Sequence, residues 1–226
     1  MKLLPLFLTL LLSAQISVAQ EADFLTTSGP LSDEDFYRLV SCRAYPGKPC
    51  QQDLVRWPSP RASALRVGIR SVAEGYPSML QDQLDGGLDL AIRALNEAGG
   101  NLTLLREREA EMQDISIHLI SSRTGEPIRG TGNPEMDGLP IGAALVHIRW
   151  NGYRQIEEAT IAMASDLPLS MAYPVLLEEL TQALGLMTDI RNPHYDRISV
   201  FSEDSNIVTK LGEQDRAAIR RHYPAE

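Results

Sequence analysis

The stretch from Leu176 to Asp189 constrains this chain more than any other. At about 100° per residue, Leu176, Leu177, Leu180, Ala183, Leu184 and Met187 gather on one face of a helix. Glu178, Glu179 and Gln182 fall within an arc of about 100° on the other face. Burying the apolar face fixes the direction of the polar one, so two carboxylates and an amide point together at water or at a cleft. Ser170 is placed to cap the start of this helix, Pro174 is tolerable in its first turn, and Gly185 is a good stop.

The segments around it alternate between the two secondary-structure periods. Leu65 to Arg70 alternates apolar and polar residues, as a half-buried strand does. A long helix follows from Ser78 to Ala98, with Leu80, Leu84, Leu88, Ile92 and Leu95 at helical spacing and Gly99-Gly100 ending it. Leu102 to Arg106 and Ile115 to Ile120 read as strands, as do Gly142 to Trp150 and Glu157 to Ala164, the last two joined by the hairpin signal Asn151-Gly152. Between Ser121 and Pro140 lies a loop whose glycines and prolines are explained by turns. After Gly185 a loop leads to Ile198-Ser199-Val200-Phe201-Ser202, an acidic stretch from Glu203 to Asn206, and a final helix from about Gly212 to Tyr223. The order predicts an α+β fold: a mixed sheet, a long backing helix, a helix bearing the polar cluster, and a C-terminal helix.

Outside this domain, expected over residues 61–226, two segments stand apart. Residues 1–19 have the basic start, short apolar run and small-residue exit of a secretory leader, which predicts a periplasmic or secreted protein. Residues 20–60 form a polar N-terminal extension with a short helix capped at Ser32 and a proline-rich loop. In an oxidising compartment, Cys42 and Cys50, the only cysteines, are expected to form a disulfide. No segment approaches about 18 consecutive apolar residues, so no membrane span is expected. A net charge of −9 argues against nucleic acid as a partner, because phosphate binding needs a basic surface.

The element order and three local motifs together resemble the metzincin metalloproteases. In that family one helix carries His-Glu-x-x-His-x-x-Gly-x-x-His, whose histidines hold zinc and whose glutamate is the general base. With the glycine matched to Gly185, the ligand positions hold Glu178, Gln182 and Thr188, and Glu179 holds the place of the base. Ser199-Val200-Phe201-Ser202 is similar to the methionine turn beneath the metal, with Phe201 in the methionine's place. Leu211, Asp215, Ile219 and Tyr223 are similar to the closing helix of matrix-type members. The chain looks most like an exported bacterial family within that superfamily, domain-of-unknown-function family 2927, whose role is not established.

The resemblance implies the fold but a degenerate site. An amide and a hydroxyl compete poorly for zinc, so no metal or other cofactor is expected at Glu178, Gln182 and Thr188. Asp189 falls one position late for the third ligand, and His118, His147, His194 and His222 lie elsewhere in the sequence. A hard ion would choose oxygen ligands such as Glu178, Asp189 or the Glu203 to Asn206 stretch. Two functions compete: a non-catalytic cleft that binds peptide or protein, with Gly142 to Trp150 as the edge strand, and an active hydrolase using Glu179 with atypical ligands or a metal-free Glu179 and Gln182 pair.

Overall fold

In a computed structural model, residues 24–225 are described, and the leader-like residues 1–19 lie outside them. In chain order the elements are β1 (Phe24–Thr26), α1 (Asp33–Cys42), α2 (Ser59–Ala62), β2 (Leu65–Val72), α3 (Ser78–Asn96), β3 (Leu104–Arg106), a 3-10 turn (Ala110–Met112) and β4 (Ile115–Leu119). Then come β5 (Ala144–Trp150), β6 (Ile156–Met163), α4 (Leu169–Gln182), β7 (Asp189–Arg191) and α5 (Glu213–His222). This is the mixed α+β architecture that the alternating periods predict.

Five strands form one sheet in the order β3-β2-β4-β6-β5. All neighbours are parallel except β5, which runs antiparallel to β6 at one edge. Period-two alternation gives the sheet two unlike faces. Val67, Ile115, Ile117, Val146, Ile148, Ala159 and Ile161 join the main core with the apolar sides of α3 and α4. Ser116, His118, His147, Arg149 and Thr160 stand at the alternate positions, on the opposite face. There the loop after β4 does more than turn, because Ile128, Met136 and Ile141 pack with Ala162 into a second, smaller core.

Several boundaries differ from the sequence expectation for local reasons. The helix beginning at Leu169 is preceded by Pro168 at the N-cap position rather than Ser170, and it ends at Gln182. Gly185 takes a left-handed φ of 98°, and a Cβ there would stand 2.2 Å from the Val55 carbonyl oxygen, so only glycine fits. The chain therefore leaves the helix before Thr188 and enters β7 at Asp189. The Asn151-Gly152 hairpin is a five-residue connection over residues 151–155, with Arg154 rather than Gly152 at positive φ. The Asn151 side chain holds it by accepting from the backbone N–H of Tyr153 and Gln155.

The N-terminal segment is built into this body. β1 pairs in parallel with β7, and α1 packs against α5. Cys42 and Cys50 are disulfide-bonded as expected, closing the loop after α1. No helix among the described residues is long and apolar enough to cross a membrane.

Candidate functional site

α4 carries a buried apolar side through Leu176, Leu177 and Leu180, and this turns Glu178, Glu179 and Gln182 toward β5. Between them lies a pocket of about 250 Å³. One wall is the run from Ala143 to Val146 at the edge of the sheet, and the other is formed by Glu178, Glu179, Gln182 and Asp189, with Met187 and Asn206 at its margins. The three polar residues expected to converge do line one cavity.

Thr188 does not join them. Its backbone N–H donates to the Val40 carbonyl oxygen, and its buried side chain borders a neighbouring pocket of about 380 Å³ with Ile148, Trp150, Gly185 and Arg43. Met187 lines both pockets, so together they follow β5 along its helix-facing side. Asp189, one residue on, lines the Glu178 pocket in place of Thr188, to which the motif matched at Gly185 gives the third position. The Gln182 Nε2 amide donates to both Asp189 carboxylate oxygens, at 2.9 and 3.1 Å. The sequence signal for this was present only in part: Asp189 is the first acidic residue after the glycine stop, and which way the chain turns there is a tertiary matter.

Electrostatically the pocket is crowded with one sign of charge. Burial, and then the carboxylates of Asp189, Glu179 and Glu203, hold the Glu178 carboxyl well above the usual carboxylate range. Glu203 and Asp204 form ion pairs with Arg191, and Asn206 reaches the pocket wall. This arrangement favours a bound proton at Glu178, or places negative charge against a bound cationic group.

The Ser199 to Ser202 turn is pinned to α5. The Ser199 hydroxyl donates to Asp215 at 2.6 Å, and the Val200 and Gly212 backbone N–H groups donate to the other Asp215 oxygen at 3.1 and 2.8 Å. Phe201 is fully buried, edge-on to Phe36 at 5.9 Å between centroids, and its carbonyl oxygen accepts from Ile190 of β7. The turn thus fixes the strand that carries Asp189.

None of the four histidines lines the Glu178 pocket. His222 is buried between the Tyr37 hydroxyl and the Val55 carbonyl, and burial pushes its pKa down to about 4. His194 packs edge-on to Tyr195. His118 and His147 lie on the other face of the sheet. Among the described residues, no group of three or more His, Cys, Asp or Glu is arranged to hold a metal ion.

The chain matches the family described as Protein of unknown function (DUF2927) over residues 34–226. No curated protein matches it. The chain belongs to the DUF2927 family.

Proposed function

We propose that this DUF2927 protein is an exported, metzincin-like binding protein whose groove between β5 and α4 holds an extended peptide or protein segment without zinc-dependent cleavage. The outer edge of β5 carries the reading: among the described residues it makes no backbone hydrogen bond, and it overlooks the Glu178 pocket. The Ala164 N–H donates to the Ala143 carbonyl, so the antiparallel alternation turns the backbone groups of Ala144, Val146 and Ile148 outward. A strand added there pairs with them and sends alternate side chains toward the two pockets below. The leader pattern at residues 1–19 and the Cys42–Cys50 bond support export.

The donor set does not fit the zinc that the resemblance implies. Gln182 turns its amide nitrogen to Asp189, and a nitrogen donating two hydrogen bonds offers no ligand. Thr188 borders the other pocket. The raised proton affinity of Glu178 favours a second reading, metal-free acid–base hydrolysis, in which Glu179 works beside it. In that reading Gln182 must leave Asp189 before it serves as an oxyanion donor.

Elemental analysis and a peptide-binding and cleavage screen on the exported chain separate these readings. The expected result is saturable binding, no stoichiometric zinc and no turnover, with binding lost in Ala144→Pro, which removes an outward N–H at the first residue of an edge strand, where proline is tolerated. Circular dichroism checks that this variant stays folded. Peptide cleavage abolished by Glu179→Gln overturns the binding reading, and stoichiometric zinc beside it restores the metallopeptidase.

A further inference from the structure

We infer that the face of the sheet turned away from α3 and α4 carries a second ligand site, in which Arg70 and His118 hold a small oxyanion group. The site is a cavity of about 330 Å³, separate from the groove along α4. Its floor is the polar row of the sheet, Ser116 and His118 on β4 and Thr160 on β6, and its roof is the segment from Thr131 to Glu135.

Three observations make it a built site rather than a gap under a loop. First, the register of β2 against β4 passes from Ile69 opposite Ile117 to Ser71 opposite His118, which leaves Arg70 as the extra residue of a bulge. Bulges re-aim side chains, and this one lets Arg70 line the cavity while Ser71 bonds His118. Second, His118 is 4 % exposed, and its Nδ1 lies 2.8 Å from the Ser71 hydroxyl. A hydroxyl donating to Nδ1 leaves the proton on Nε2, and the ring lines the cavity. When the ring is protonated the same hydroxyl accepts instead, so Ser71 holds the imidazole in both charge states.

Third, Arg70 brings to the cavity a guanidinium that is tied outside it only by the Ala110 carbonyl oxygen, at 3.1 Å, and by Glu111. Glu135 is engaged by His147 Nε2 at 2.7 Å, and Glu158 by Arg149 at 3.2 Å. The ion-pair partner of Arg70 is Glu111, outside the cavity and 87 % exposed, a pair worth little in water. Burial and then the Arg70 charge hold His118 below its usual range, while Asp137 and Glu158 pull weakly the other way. An anion beside Arg70 offsets that repulsion, so anion and proton bind together.

Sulfate and formate, titrated separately into the full exported chain and followed by calorimetry and by the His118 side-chain nitrogen resonances, test this. Sulfate stands for phosphate-type ligands and formate for carboxylates, and the tighter of the two names the class. The expected result is saturable binding that moves the Nε2 resonance and tightens roughly fivefold from about pH 7.5 to about pH 5.5. Arg70→Gln and His118→Asn each weaken it at least tenfold with the unfolding temperature near wild type, and Ala144→Pro leaves it unchanged. Ser71→Ala keeps the binding but blunts its pH dependence. Absence of saturable binding to both anions, or equal binding in the Arg70 and His118 variants, overturns the proposal; neither result bears on peptide binding at β5.

Discussion

Two buried acidic centres in this molecule are built on opposite plans. Asp215 is fully buried and receives the Ser199 hydroxyl and the Val200 and Gly212 backbone N–H groups. Burial raises its proton affinity, and the three donors pull it back. The Glu178 centre instead gathers Glu178, Glu179 and Asp189 around one cavity, with the Gln182 amide donating to Asp189 and a fourth carboxylate, Glu203, nearby. A carboxylate surrounded by donors is a structural anchor, whereas carboxylates set against one another beside a cavity spend stability on something other than folding.

The sharpest way to break this contrast is Asp215→Asn. It replaces one acceptor oxygen with an NH₂ group that faces donors already in place, leaving a buried N–H or hydroxyl without a partner. The expected loss is about 3 kcal/mol of unfolding free energy, measured by urea denaturation at neutral pH. A loss within about 0.5 kcal/mol would mean that the Ser199 to Ser202 turn holds itself, and that Asp215 is no anchor.

How far these centres were legible in the sequence follows from what each depends on. Period alone places α3, α4, β4, β5 and β6, because their apolar residues repeat at helical or strand spacing against one core. β1 and β7 escape it, since three residues carry too little pattern, and β3, equally short, is legible only within the longer run from Leu102. Asp215 reads as an ordinary acid in the first turn of a helix, while its partner Ser199 arrives from a turn that only tertiary packing brings near. Asp189 is missed because the family motif, aligned on Gly185, gives the third position to Thr188, and the direction the chain takes after that glycine is set by tertiary packing. The second core escapes too: Ile128, Met136 and Ile141 are spaced irregularly among turn residues, and the cavity under that loop holds His118, which reads as one more strand residue.

A smaller effect is expected from Gln182→Leu. This change keeps the volume of α4 and removes two hydrogen bonds to the Asp189 carboxylate. Bonds to a carboxylate contribute about 2 kcal/mol, and a loss of that size is expected at neutral pH. If stability is unchanged, the Gln182 and Asp189 pair is not what holds β7 against α4. Combined with Asp215→Asn, the two losses should add if the centres act independently, because the pairs share no partner.

Glu178→Gln should have the smallest effect and the opposite sign. Removing one of several crowded like charges is expected to stabilise the fold by about 1 kcal/mol at neutral pH. The pH dependence separates this from a packing effect. Glu178 holds its proton more tightly folded than unfolded, where its value is near 4.5, so its contribution is fully present below that pH. It is lost as pH rises through the raised folded-state value, and the glutamine variant has nothing to lose. His222 runs the other way, its contribution falling as pH drops from 6.5 through about 4, but it does so equally in both proteins. The difference between variant and wild type therefore isolates Glu178: it should grow from acid toward neutral pH and then level off. A difference that is flat across that range would show that Glu178 ionises as readily folded as unfolded, and the contrast with Asp215 would then rest on hydrogen bonding alone.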